Sequence, residues 1–123
     1  MTTYFITGTG TDIGKTWVSC ALLRHWRVQG LTTRAFKPVM SGVDTNDLAR
    51  SDAGQLLLAQ GLAVTAANVA EIAPWRFTAP LSPDMAAAAE GRHIDFDELL
   101  AFNRRSTSAD LRTITLIEGV GGV

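Results

Sequence analysis

The sequence predicts an α/β fold, a parallel sheet covered by helices. Three observations carry that expectation. Apolar, strand-like runs alternate with helical patterns along the chain. A glycine-rich loop stands between the first strand and the first helix. The last apolar run, residues 113–117, is β-branched and uncharged, as suits a strand buried on both faces.

Each element follows from its local pattern. Residues 4–7 are a short apolar run before glycines and read as a buried strand. Residues 8–14 form a loop. Residues 15–29 read as a helix, with Val18, Ala21, Leu22 and Trp26 at helical spacing and Gly30 where a C-terminal cap is wanted. A second strand is expected over 32–36, closed by Lys37-Pro38. Residues 41–47, rich in Gly, Asp and Asn, are a loop. Residues 52–60 form a helix stopped by Gly61. Residues 71–77 are ambiguous, because Pro74 interrupts them. Pro80-Leu81-Ser82-Pro83 starts an alanine-rich helix that ends at Gly91. Asp95 caps a further helix, with Glu98 three residues on in a capping-box pattern. Arg104-Arg105 closes it as a solvated end matched to the helix dipole. Residues 113–117 form an inner strand that ends at Glu118.

Composition sets the bounds. With 46% hydrophobic and 19% charged residues in 123, the chain can bury a core and suits one domain or part of one. Eleven Lys+Arg against twelve Asp+Glu, a formal charge of −1, argue against a dedicated nucleic-acid or polybasic membrane surface. The single cysteine, Cys20, excludes an intrachain disulfide and a Cys-rich metal site. No apolar run approaches the roughly 20 residues of a membrane span. Met1-Thr2-Thr3-Tyr4 lacks the basic region of a signal peptide, so a cytoplasmic protein is expected. The chain stops at Val123, in a glycine-rich stretch directly after an apolar run, and reads as the N-terminal part of a longer domain.

The chemistry concentrates at Gly8-Thr9-Gly10-Thr11-Asp12-Ile13-Gly14-Lys15-Thr16, which follows a strand and opens a helix. That is the setting of a phosphate-binding loop. A helix N-terminus offers unpaired N–H groups and the positive end of a dipole. Small residues let the backbone close round an anion. Lys15 is placed to neutralise terminal phosphates and Thr16 to put its hydroxyl on Mg²⁺. The spacing departs from G-x-x-x-x-G-K-[ST]: Gly8 sits one residue further out, and Thr9 holds the usual glycine position. The bland alternative is a glycine-rich turn with an exposed lysine. Metal partners are sought at acidic strand and helix ends. Glu118 ends the apolar strand, and the glycines after it can bring N–H groups to phosphate. Asp52 stands near the start of the second helix, where position alone equally suits a first-turn acid favoured by the dipole.

Together these segments resemble dethiobiotin synthetase, a P-loop ATP-dependent ligase family of biotin synthesis. The matching stretches are the phosphate loop, Lys37-Pro38-Val39-Met40-Ser41-Gly42, Ser51-Asp52-Ala53, Ala79-Pro80-Leu81-Ser82-Pro83, Glu90-Gly91-Arg92 and Glu118-Gly119-Val120-Gly121-Gly122. Gly10 and Asp84 depart from the family pattern, which often has aspartate and histidine there. The resemblance covers about the N-terminal half of a family member. It implies a P-loop NTPase-like fold, incomplete here, and a further half carrying later strands and adenine recognition. It implies that these 123 residues alone are inactive and prone to associate, and that the full-length protein is an active homodimer.

The activity implied is closure of the cyclic urea of dethiobiotin from 7,8-diaminopelargonate, CO₂ and ATP, with Mg²⁺. An amine captures CO₂ as a carbamate, the carbamate takes the γ-phosphoryl group as a carbamic-phosphoric anhydride, and the second amine expels phosphate. By this resemblance Lys37 and Lys15 are catalytic. Thr16, Asp52 and Glu118 match metal ligands, and Thr11, Lys37 and Ser41 meet the substrate. Asp12, Ile13, Gly14, Lys15, Thr16, Trp17, Asp52, Glu118, Gly119, Val120 and Gly121 match nucleotide contacts. A switch ATPase of the partitioning or scaffold type is the alternative, disfavoured because such relatives carry a lysine at the position of Gly10. An inactive nucleotide-binding fragment is the other.

Other candidates are set aside. Cys20 and His25, on one helix, stand about 140° apart round its axis and form no nucleophile–base pair. His25 and His93 have no companion ligands for zinc. Trp17, Trp26 and Trp75 are too scattered for a base-stacking platform, and packing is the expected role.

Overall fold

A computed structural model describes residues 2–8, 14–107 and 110–121. Three parallel strands form the main sheet: β1 (Thr2–Ile6), β2 (Thr32–Phe36) and β5 (Thr113–Glu118), in the order β1-β5-β2. Thr3 pairs with Thr115 and Ile6 with Glu118, while Thr33 pairs with Ile114 and Phe36 with Ile117. The inner strand expected over 113–117 is therefore the central one. A second, two-stranded parallel sheet joins β3 (Val39–Met40) to β4 (Trp75–Arg76). The α-helices among the described residues are α1 (Lys15–Val28), α2 (Asp52–Ala59), α3 (Ala66–Ile72), α4 (Pro83–Ala89) and α5 (Phe96–Ser106). Among the described residues no helix is long and apolar enough to cross a membrane.

Most expected boundaries hold within a residue or two. Helices α1, α2 and α4 end in the same way, with Gly30, Gly61 and Gly91 just past the last turn. In each, the amide beyond the glycine reaches back five residues: Leu31 to the Trp26 carbonyl at 3.0 Å, Leu62 to Leu57 at 3.0 Å, Arg92 to Ala87 at 2.8 Å. Asp95 caps α5 by accepting from the amides of Asp97 and Glu98, at 2.8 and 3.1 Å. The ambiguous stretch 71–77 resolves into the end of α3 and β4, and Pro74 falls between them. Ser82 Oγ donates to Asp84 Oδ1 at 2.8 Å. That bond, with the Met85 amide, holds the Asp84 carboxyl below its usual range.

Three expectations need correction. Strand β1 is not buried: Tyr4 and Phe5 are 45% and 59% exposed, since β1 pairs on one side only, with β5, among the described strands. The buried stripe of α1 is Ser19, Cys20, Leu23 and Trp26, whereas Val18 is exposed. A helix packs on what its neighbours offer, and here α1 lies against α2 and the sheet with Cys20 Sγ 3.4 Å from the Gln55 carbonyl oxygen. Trp17 is 76% exposed and does not pack in the core, unlike Trp26.

Two cores result. The larger gathers Leu23, Leu56, Leu57, Val69 and Leu116 between α1, α2, α3 and the main sheet. The smaller gathers Val39, Phe77, Ala86 and Ala87 under the β3–β4 pair. Fully buried Ala86 and Ala87 let α4 approach closely. One contact fixes where α2 begins. A 3-10 turn at Leu48–Arg50 packs so tightly on α2 that a Cβ on Gly54 would lie 2.1 Å from the Leu48 carbonyl oxygen and 2.9 Å from Ala49 Cα. We expect Gly54→Ala to destabilise the fold by about 1–3 kcal/mol, because backbone must shift to admit the methyl group. Urea unfolding measures this; an unchanged midpoint would show that the turn does not set the position of α2.

Candidate functional site

All three main strands are parallel, so their carboxyl ends share one edge. Phosphate-binding folds of this type place ligands there. Chain segments leave this edge at Ile6 toward the loop, at Phe36 into Lys37, and at Glu118 into the glycines. The amino end of α1 returns to the same place: Gly14, at φ 94°, turns the chain into the helix, a conformation that side chains rarely adopt.

Lys37 is the hub. Its amide donates to the Ile72 carbonyl at 3.0 Å, and its side chain is buried. The ammonium meets three acceptors: Asp52 Oδ2 at 3.0 Å, Glu118 Oε1 at 3.1 Å and the Gly119 carbonyl at 2.8 Å. Thr16 Oγ1 donates to the same Glu118 oxygen at 2.6 Å. Lys15 Nζ donates to the Gly121 carbonyl at 2.5 Å, which ties the first turn of α1 to the chain beyond β5. Asp52 reaches the cluster from the first turn of α2. Ser51 caps that helix by accepting from the Gly54 amide at 3.0 Å while donating to the Leu48 carbonyl at 2.6 Å.

The structure thus brings together Lys15, Thr16, Lys37, Asp52 and Glu118 from four places in the sequence. All five line one cavity of about 640 Å³, with Gly14, Trp17, Ser41, Val120 and Gly121. Gly119 serves through its carbonyl on Lys37, while its amide continues the ladder to Ile6 at 2.9 Å. Thr11, Asp12 and Ile13 lie outside the described residues. Glu118 is not a solvated strand end, being 1% exposed. The cavity also takes in Met40, from the matching stretch after Lys37, and Val43, Asp44, Asp47 and Arg50, which sequence reasoning assigned no role. The only signal of these last four was position, in or just after the polar loop at 41–47.

A divalent cation fits this donor set. Two carboxylates, Asp52 and Glu118, face the Lys37 ammonium, so that group of three carries one negative charge in excess when all are ionised. Glu118 Oε2 is buried with no hydrogen-bond partner among the described residues. A buried carboxylate oxygen of that kind is costly unless a donor or a metal meets it. Hard oxygen ligands from Thr16, Asp52 and Glu118 suit Mg²⁺.

Cys20 lies on the core side of this cluster. Burial pushes its thiol pKa up; Arg24 acts against this, and the negative charges of Glu118 and Asp52 add to it. The folded state therefore favours the neutral thiol. That contribution to stability is complete below the ordinary thiol pKa and is lost as pH rises through the raised one. We expect Cys20 in the native protein to alkylate at least about tenfold more slowly than a free thiol at neutral pH, and at the full rate in denaturant. Rapid native labelling would contradict the burial.

Comparison with known proteins agrees with this geometry. The sequence is 49% identical over 127 aligned residues to the ATP-dependent dethiobiotin synthetase BioD of Methylobacterium nodulans, covering 100% of this chain and 56% of that protein. It is 50% identical to the protein of the same name from Acidiphilium cryptum, over 99% of this chain and 55% of the relative. The corresponding protein of Phenylobacterium zucineum is 46% identical, over 100% and 53%. The chain thus spans about half the length of the curated relatives it matches. The family profile described as AAA domain matches residues 2–123. On a parallel sheet whose strand ends gather a lysine hub and a helix N-terminus, that match settles the family: the chain belongs to the AAA domain family and is a relative of the ATP-dependent dethiobiotin synthetases.

Proposed function

We propose that this chain forms the phosphate- and carbamate-handling part of an ATP-dependent dethiobiotin synthetase. The observation that carries the reading is the buried Lys37 ammonium, held between Asp52 and Glu118 in the cavity that Lys15 and Thr16 also line. A carbamate and a γ-phosphate are both anions that must meet. Fixed cations and backbone N–H groups in a partly dry site are what lowers the barrier to their reaction.

In this reading the segment from Asp12 to Trp17, which runs into the amino end of α1, cradles the phosphates of ATP, and Gly119 to Gly121 close over them. One amine of 7,8-diaminopelargonate captures CO₂ as a carbamate near Thr11, Lys37 and Ser41. A carbamate oxygen attacks the γ-phosphorus, ADP leaves, and a carbamic-phosphoric anhydride forms. The second amine then attacks the carbonyl carbon and expels phosphate, closing the urea ring. Lys37 exchanges acceptors among its present three for the reacting anions as they bind, and Lys15 neutralises charge as it develops on the transferring group. Thr16, Asp52 and Glu118 would hold Mg²⁺, which would supply further charge neutralisation at the phosphates. The remaining expectations, a homodimer and a cytoplasmic location, belong to this same reading.

Dethiobiotin formation from diaminopelargonate, bicarbonate and ATP by the full-length protein tests the proposal; ATP hydrolysis without ring closure would overturn it. Lys15→Ala should abolish turnover. Lys37→Gln should lower kcat by about a hundredfold or more while ATP binding weakens only a fewfold, because this lysine acts on the transferring group. Equal losses in both would reduce Lys37 to a nucleotide contact. Glu118→Gln should raise the Mg²⁺ concentration needed for half-maximal activity by about tenfold or more. An unchanged requirement would place the metal elsewhere.

A further inference from the structure

The segment Glu90-Gly91-Arg92 lines no part of the cavity, yet hydrogen bonds connect it to the cavity wall. Gly91, at φ 67°, closes α4 in the left-handed conformation and turns the chain so that Glu90 and Arg92 face the same strand end. Glu90 Oε2 accepts from the Thr78 amide at 2.9 Å. The Arg92 guanidinium lies 4.7 Å above the Phe77 ring, donates to the Arg76 carbonyl at 3.3 Å, and pairs with Glu90 Oε1 at 3.5 Å. Residues 76, 77 and 78 are thus all gripped from outside.

From the inside, the same residues hold the chain that follows β3. The Phe77 amide donates to the Met40 carbonyl at 2.9 Å, and the Val43 amide donates to the Phe77 carbonyl at 3.0 Å. The Gly42 amide donates to the Ala79 carbonyl at 3.0 Å. Ser41 sits between these rungs, and Met40, Ser41, Gly42 and Val43 all line the cavity. Glu90 thus supplies the acceptor for the Thr78 amide, two residues past β4.

We infer that Glu90 and Arg92 form a positioning clamp for the cavity wall that carries Ser41, and so set the affinity for the amine substrate. The inference rests on the ligase reading above. An exposed ion pair alone is worth little. A carboxylate on a backbone amide is stronger and directional. Its loss frees Thr78 to face water and loosens the strand end on which Gly42 and Val43 hang, through hydrogen bonds that do not involve Lys15 or Thr16. The clamp therefore acts first on the substrate that Ser41 meets in the ligase reading.

The experiment uses the full-length protein with Glu90→Ala and Glu90→Gln, each alone and with Ser41→Ala. Glu90→Ala should raise KM for diaminopelargonate about tenfold and leave KM for ATP within about twofold. Glu90→Gln should restore most of the affinity, since its amide oxygen accepts the same N–H. With Ser41 already replaced, Glu90→Ala should add little, because both act through one wall. Hydrogen exchange at Gly42 and Val43 should accelerate by about tenfold in Glu90→Ala with the melting temperature almost unchanged. Equal effects on both substrates, an undiminished effect in the Ser41→Ala background, or unchanged exchange would each overturn the clamp. Absence of dethiobiotin synthesis by the unmodified protein would overturn the ligase reading instead, and the exchange measurement would still decide the clamp.

Discussion

One buried ammonium constrains the whole site. Taking Lys37 and Glu118 out of water costs several kcal/mol per ion, and the fold recovers this only if every proton on the ammonium finds an acceptor. It finds Asp52, Glu118 and the Gly119 carbonyl. These belong to the start of α2, the end of β5 and the segment after it, while Lys37 itself leaves β2. Four chain segments are therefore fixed relative to one nitrogen atom. The Lys37 amide on the Ile72 carbonyl adds α3, and the Thr16 hydroxyl on Glu118 adds α1. Loss of the ammonium would leave two carboxylates facing each other without a counter-charge.

The rest of the fold serves to bring these ends together. The parallel register of β1, β5 and β2 puts Ile6, Glu118 and Phe36 at one edge. The close contact at Gly54 sets where α2 starts, and hence where Asp52 projects. Tight glycine endings to α1, α2 and α4 keep the connections short. The larger core fixes the charged wall of the cavity. Met40 and Val43, which flank the Ser41 stretch, also belong to this larger core, while Phe77 of the smaller core holds that stretch through the Met40 carbonyl and the Val43 amide.

Glu118 shows how far local reasoning reaches. Its place at the end of a β-branched run marked it as a strand-end acid of interest. Its complete burial, and an oxygen with no hydrogen-bond partner among the described residues, depend on Thr16 and Lys37, which stand 102 and 81 residues away in the chain. Asp52 makes the same point. By position alone it is equally a helix-dipole acid and a ligand candidate; only the folded chain shows its contact with Lys37. Asp44, Asp47 and Arg50 had no motif at all, and only the cavity brings them into view.

The sequence by itself determined the alternation of strands and helices, the central strand, the helix caps and the glycine-rich stretch that leads into α1. Those features depend on residues a few positions apart: apolar periodicity, glycine after a last turn, a capping aspartate. Only the tertiary structure decided which side of α1 is buried, that β1 lies exposed at an edge, and that β3 and β4 pair across more than thirty residues of chain. It alone assembled Lys37, Asp52 and Glu118 round one charge, and linked Glu90 to the wall of Ser41. The physical reason is the same throughout. Local patterns record backbone preference and capping, whereas burial, ion pairing and the register of distant strands depend on which surfaces meet.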